Sequence, residues 1–135
     1  MHIRDFTQDD FAAATALWRL CGLHPSPSDT PARLAEISRR NPGLFLVALD
    51  APLLAGTVMG SWDGRRGWIN RLAVAPAQRR TGLGGGLLAL VETRLRARGC
   101  DKVNLLIESD NETVAGFYAA AGYTRDPLIF MEKWL

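Results

Sequence analysis

The amino-acid sequence predicts a mixed α/β fold in a single domain spanning residues 1–135, and three observations carry that expectation. The chain has 135 residues, 47% of them hydrophobic and 22% charged, and a chain of this length buries roughly 68% of its unfolded surface, enough for one core without a disulfide or metal. Leu44–Leu49 is a continuous apolar run, the pattern of a strand covered on both faces. After Val74 the pattern changes from strands joined by tight turns to alternating strand and helix, with glycines clustered at the change.

The elements follow in order. His2 to Phe6 reads as a short strand. Thr7-Gln8-Asp9-Asp10 has a hydroxyl N-cap and acids suited to a first helical turn, and Phe11, Ala14, Leu17, Trp18 and Cys21 follow at helical spacing until Gly22. His24-Pro25-Ser26-Pro27-Ser28 is a loop, because each proline restricts the residue before it. Thr30-Pro31 caps a second helix carrying Leu34 and Ile37, closed by Asn41-Pro42-Gly43. Leu44 to Leu49, Leu53 to Trp62 and Trp68 to Val74 form an antiparallel meander, with turns at Asp50-Ala51-Pro52 and Asp63 to Gly67. Leu83, Leu87, Leu90, Val91 and Leu95 mark a helix with one apolar stripe, basic at its C-terminal end and stopped by Gly99. Val103 to Ile107 is the next buried strand. Ser109 to Glu112 has capping-box spacing ahead of a helix bearing Val114, Phe117, Tyr118 and Ala121, and Tyr123 to Leu135 supplies one or two closing strands.

Composition excludes several classes of function. No apolar run approaches the ~18 residues of a membrane-spanning helix, and no apolar signal region follows the N-terminal charges, so a cytoplasmic protein without a membrane partner is expected. The formal net charge is +2, yet residues 67–100 hold six arginines against the single acid Glu92. A local excess in a balanced chain suits one anionic ligand, and no nucleic-acid partner is expected. Cys21 and Cys100 lack metal-ligand spacing and read as two buried thiols; His2 and His24 form no cluster in sequence, so no metal is expected.

The stretch from Asn70 to Leu88 carries the chemistry. A strand ends, the basic turn Gln78-Arg79-Arg80 follows, and Gly82, Gly84, Gly85 and Gly86 open a helix. The first amides of a helix lack intrahelical acceptors and sit at the positive end of its dipole, and glycines let an anion approach them. Inside a helix, glycines cost ~1 kcal/mol each relative to alanine, a cost with no purpose if only a helix were needed. The stretch lacks the Gly-Lys-Ser/Thr of a P-loop, and Leu87 stands where the dinucleotide fingerprint needs its third glycine. What remains is Q/R-x-x-G-x-G/A, filled by Arg79-Arg80-Thr81-Gly82-Leu83-Gly84.

On these residues the chain resembles the GNAT family of acetyl-coenzyme A dependent N-acetyltransferases. The resemblance extends to Leu72-Ala73-Val74-Ala75-Pro76, similar to the family's L-x-V-x-P strand, and to Asn111, Val114, Phe117, Tyr118, Gly122 and Tyr123, similar to its later N-x-x-A/V-x-x-F/L-Y-x-x-x-G-F/Y pattern. Trp18, Leu44 to Ala48 and Gly56 to Gly60 look like a short bacterial subgroup, the YpeA type. The resemblance implies a central, mostly antiparallel sheet with strands four and five splayed apart and helices on both faces. It implies acetyl-coenzyme A as cofactor, held at its pyrophosphate by the amides from Arg80 through Thr81, Gly82, Leu83 and Gly84 to Gly85, with charge from Arg79 and Arg80. It further implies main-chain contacts from Leu72, Ala73 and Val74 to the pantetheine arm.

Asn111 has two readings, a pantetheine contact or a simple helix cap. Tyr118 is the catalytic candidate that the resemblance implies: amine attack on a thioester expels a thiolate, and a phenol with an ordinary pKa near ~10 is protonated at neutral pH and can donate to it. The other reading of Tyr118 is a core ring beside Phe117. For the base, relatives often carry a glutamate within the fifth strand, where this chain has Asn104-Leu105-Leu106-Ile107; Glu108 follows and either works through water or only flanks the next helix. The acceptor is expected to be a primary amine of a small molecule or peptide, shaped by residues 23–30 and 62–68. His24, Trp62 and Trp68 are wall candidates there, and Asp29 and Asp63 are acids suited to a cationic amine. The alternatives are a catalytically impaired acyl-coenzyme A sensor, a toxin that acetylates charged tRNA, and an unrelated mononucleotide-binding domain. Pairing of exposed sheet edges makes a homodimer an open expectation.

Overall fold

The computed structural model describes residues 1–135. Five strands, His2–Asp5 (β1), Phe45–Asp50 (β2), Leu53–Trp62 (β3), Gly67–Val74 (β4) and Val103–Leu105 (β5), lie side by side in sequence order. The first four are antiparallel neighbours, and β5 runs parallel to β4. Helices α1 (Phe11–Leu20), α2 (Pro31–Arg40), α3 (Leu83–Ala97) and α4 (Ala115–Ala120) complete the chain. None is long and apolar enough to cross a membrane.

Side chains alternate across a strand, and β2 shows what that does here. Leu44, Leu46 and Ala48 pack with Val58 and Ile69 against Leu87, Leu88, Val91 and Leu95 of α3. Phe45 and Val47 point the other way, with Met59 and Ala73, against Ala14, Leu17 and Trp18 of α1 and Leu34 of α2. The apolar run is therefore buried on both faces, as its sequence predicts. Burying each such side chain contributes about 1.5–3 kcal/mol. The close approach of α3 depends on Gly60, where a Cβ would stand 2.7 Å from Val91 Cγ1 and 3.0 Å from the Leu44 carbonyl oxygen.

Local signals set the N-terminal half. Thr30 Oγ1 accepts from the Arg33 amide at 3.2 Å with Pro31 opening α2. A 3-10 turn, Gln8–Asp10, leads into α1. Asp10 accepts from the Thr7 amide at 2.8 Å and takes both terminal nitrogens of Arg4, at 2.7 and 2.9 Å.

The C-terminal half departs from expectation in three places. β5 is only three residues long and half-buried, and Leu106 beyond it is exposed. The capping box at Ser109–Glu112 does not form: Ser109–Val114 is a 3-10 turn kinked at Asn111, and Glu112 instead pairs with Arg125 at 2.8 Å. Residues 123–135 form no strand, and the apolar side chains from Leu128 onward stand in solvent. A β-strand exists only against a partner edge, and residues 124–135 make no backbone hydrogen bond to any strand of the sheet.

Candidate active site

β4 and β5 pair only where Gly67, Trp68 and Ile69 face Val103, Asn104 and Leu105. Beyond Ile69, β4 continues along β3 alone, so its other side is open toward β5 from Arg71 to Val74. Opposite this opening β4 is irregular. The register against β3 shifts between Thr57 and Met59, so that Arg71 and Leu72 bulge, and Arg71 takes a positive φ of 50°. Such a conformation is uncommon for a side chain of this size and needs external support. The fully buried Thr57 supplies it by donating to the Arg71 carbonyl at 2.7 Å while accepting from Trp18 Nε1 at 2.9 Å. The Arg71 guanidinium lies 4.9 Å from the Trp18 ring centroid and pairs with Asp29 at 2.5 Å. Asp29 is thus committed to Arg71 instead of being a free acid for an amine.

At the end of β4 a 3-10 turn, Pro76–Gln78, leads to the glycine-rich segment. Gly82 has a φ of 85° and Arg80 one of 64°, which turns the chain sharply into α3. None of the backbone amides from Arg80 through Thr81, Gly82, Leu83 and Gly84 to Gly85 has an acceptor within the chain; Gly86 is the first that does, bonding the Gly82 carbonyl at 2.9 Å. These donors lie at the positive end of a 15-residue helix. A Cβ on Gly84 would meet Val74 Cγ2 at 3.4 Å and Phe117 Cζ at 3.6 Å, whereas Gly85 and Gly86 face open space. The start of α3, the end of β4 and α4 therefore converge on one place.

The side chains around this cradle divide. Thr81 Oγ1 donates to the Gln78 carbonyl at 2.6 Å and is used up by the turn. Arg79 folds back over β4, with Nε 3.4 Å from the Val74 carbonyl and a terminal nitrogen 3.6 Å from Cys21 Sγ. Arg80 is exposed and makes no ion pair. Leu72 and Leu83 pack on the α3 side of the core and the Ala73 side chain on the other. Cys21 is half-buried, contrary to expectation, with Sγ 3.4 Å from the Val74 carbonyl; Cys100 is buried. Asn111 is half-buried and its side chain caps no helix, which removes one of its two readings.

The two tyrosines are distinguished by their hydroxyls. Tyr123 donates to Glu92 at 2.7 Å. Tyr118, packed edge-on against Phe117 and Tyr123 with centroids 5.1 and 5.6 Å away, makes no hydrogen bond through its hydroxyl. Burial pushes the Tyr118 phenol up to about 12, so it stays protonated at neutral pH. At the end of β5, His24 Nε2 reaches Asp110 at 2.6 Å and Glu108 at 3.0 Å. This is the cluster that spacing hid, because the α1–α2 loop arrives from 86 residues away. The Asp110 hydrogen bond, and then the charges of Asp110 and Glu108, raise the His24 pKa. His24, Glu108 and Asp110 are also the one group of metal-ligating types gathered closely, and all three are exposed. Asp63 accepts from the Arg65 and Arg66 amides at 2.8 and 2.7 Å, which holds its own turn.

A model of the acetyltransferase (GNAT) family matches residues 7–123. An acetyltransferase of Pectobacterium atrosepticum is 38% identical over 135 residues, spanning 100% of this chain and 96% of that protein. One from Yersinia pestis (strain Pestoides F) is 37% identical over the same shares. Among solved structures, the PaiA N-acetyltransferase from Thermoplasma acidophilum in complex with coenzyme A has the same fold, with a TM-score of 0.79 at 18% identity over 95% of this chain and 92% of that one. With the glycine-rich cradle, the parted strands and these matches in agreement, the chain belongs to the GNAT family of acetyltransferases.

Proposed function

We propose that residues 1–135 act as one domain that transfers the acetyl group of acetyl-coenzyme A to a primary amine of a small molecule or peptide. The observation that carries this reading is the unbroken run of unpartnered amides from Arg80 to Gly85, set where β4 and β5 part. Those donors suit a pyrophosphate, with Arg80 and, from across the turn, Arg79 adding charge. Backbone groups of Leu72, Ala73 and Val74 on the open side of β4 suit the amides of a pantetheine arm, and the uncapped Asn111 side chain is free to join them. Acetyl-coenzyme A supplies the activated acyl group as a thioester.

The remaining work belongs to the chain. An ammonium has no lone pair, so the acceptor must give up a proton, and Glu108, joined to His24, receives it directly or through water. Tyr118 Oη holds the proton that the departing sulfur takes. A hydroxyl free of internal hydrogen bonds and kept protonated by burial suits that duty. The competing reading, a sensor that binds acyl-coenzyme A without turnover, draws support from one feature: β5 itself carries no carboxylate, and Glu108 is already engaged by His24.

The test is a calorimetric titration with acetyl-coenzyme A, with ATP and NAD as controls, followed by thiol release across a panel of amines and peptides. Saturable binding of the thioester alone together with amine-dependent thiol release supports the transferase. Binding without release from any amine supports the sensor, and no binding by the folded protein overturns both.

A further inference from the structure

β4 and β5 part beyond the pair of Ile69 and Leu105, and the two sides of the opening carry opposite charge. Arg71 stands just past the last pair on the β4 side, and Glu108 and Asp110 follow it on the β5 side. The α1–α2 loop answers both. Its Asp29 pairs with Arg71 at 2.5 Å, while its His24 lies 3.0 Å from Glu108 and 2.6 Å from Asp110. The two contacts are neighbours, because the Arg71 charge is felt at His24 and lowers its proton affinity. One short loop therefore offers a carboxylate to one side and an imidazole to the other, the pattern of a small molecule that bears an acid and an amine.

Arg71 has donors left for such a molecule. A guanidinium carries five N–H groups, and Arg71 spends only Nη2, on Asp29; its Nε and Nη1 donate to nothing in the chain. The side chain is 14% exposed and lines a cavity of about 120 Å³ between α1 and the loop. Asp29 is the one acid in the wall, against the cations Arg19 and Arg71, and Phe11, Trp18 and Leu23 supply apolar surface. A wall with excess positive charge suits an anion, and the planar fork of an arginine suits a carboxylate. The cavity is well below the roughly 300–1,000 Å³ of pockets that take larger ligands, so it admits a small head group and not a run of polypeptide.

Resting on the acetyl-transfer reading of this site, we propose that its acceptor is a free amino acid with an apolar side group, the carboxylate held by Arg71 and the amine presented to Glu108. Phe11, Trp18 and Leu23 receive the side group. The amine gives its proton to Glu108 and its nitrogen bonds the acetyl carbon; the carbon–sulfur bond breaks, and the sulfur takes the Tyr118 proton. The amide product keeps its carboxylate but no longer carries an ammonium charge, so its hold on the acidic side is lost.

Calorimetric titration of the full chain with leucine, phenylalanine and methionine, each beside its carboxamide, tests it, with and without saturating coenzyme A. Thiol release from acetyl-coenzyme A is then followed with the same compounds. The acids are expected to bind roughly 10–100-fold more tightly than the carboxamides and to be the better acceptors. Arg71→Gln, checked for folding by circular dichroism, should abolish that preference, and Arg71→Lys should keep part of it. Carboxamides that bind and react as well as the acids overturn the proposal without any variant, and so does a preference undiminished in folded Arg71→Gln. Thiol release with other amines, while the acids neither bind nor react, overturns this proposal and leaves the transferase standing. Acids bound through Arg71 with no thiol release from any amine overturn the transferase and leave Arg71 as a carboxylate site.

Discussion

The indole of Trp18 on α1 donates to the Thr57 hydroxyl on β3 at 2.9 Å, and this single contact ties the first helix to the irregularity in β4. The same hydroxyl donates onward to the Arg71 carbonyl at 2.7 Å, at the residue whose φ is 50°. Replacing Thr57 with valine keeps the volume, leaves the buried Trp18 indole N–H without its partner and takes the hydroxyl away from the part-buried Arg71 carbonyl. Thr57→Val is expected to lose about 1–3 kcal/mol in chemical denaturation, with Thr57→Ser recovering most of it. Equal stability for Thr57→Val would mean that the bulge is held by its neighbours instead.

Tyr118 and Tyr123 make a paired test. Tyr118→Phe is expected to reduce turnover by roughly 10²–10⁴-fold while the calorimetric affinity for acetyl-coenzyme A is retained. Tyr123→Phe removes the bond to Glu92 and should cost about 1 kcal/mol of stability without a comparable loss of turnover. Because burial holds the Tyr118 phenol near 12, the alkaline limb of the rate profile should not fall through the ordinary tyrosine range. Turnover that survives Tyr118→Phe would sink the acid assignment.

Gly85 separates folding from binding. Nothing lies within 4 Å of a Cβ built there, and the residue is in the first turn of α3. Gly85→Ala is therefore expected to leave the fold intact and stabilise it by about 0.5–1 kcal/mol through helix propensity. A methyl group over the unpartnered amides obstructs an anion, so affinity for acetyl-coenzyme A should fall roughly tenfold, ~1.4 kcal/mol. Unchanged affinity would show that the pyrophosphate does not approach this face.

The His24 contact with Asp110 makes the α1–α2 loop sensitive to pH. Asp110, first by hydrogen bond and then by charge, and Glu108 raise the His24 pKa above its unfolded value. The contact is therefore fully present below the ordinary histidine value near ~6.5 and is lost as pH rises through the higher folded value. Following the His24 ring protons by NMR should give that raised midpoint, and Asp110→Asn should bring it down. A midpoint indifferent to Asp110→Asn would break the assignment.

How far the sequence reads correctly depends on the range of the interaction. The Thr30 cap, the two-faced burial of Leu44 to Leu49 and the end of the first helix before Gly22 all depend on residues within a few positions, and all are legible. The glycine-rich cradle is legible for the same reason, since a helix start exposes its own amides whatever surrounds it. The capping box at Ser109 misleads because Glu112 finds Arg125, a choice made in space.

The sequence by itself determined the order of elements from β1 to α4, the faces they bury and the place where a helix start leaves its amides without partners, because hydrophobic period and backbone stereochemistry are local. Only the tertiary structure decided that Asp29 belongs to Arg71, that Tyr123 and not Tyr118 spends its hydroxyl, and that His24 meets Glu108 and Asp110, because charges and hydroxyls are satisfied by whichever group the fold brings within about 3 Å. It also decided the state of the last twelve residues. Their composition favours a strand, but a strand is a relation between two edges, and that relation is absent from the sequence of either one.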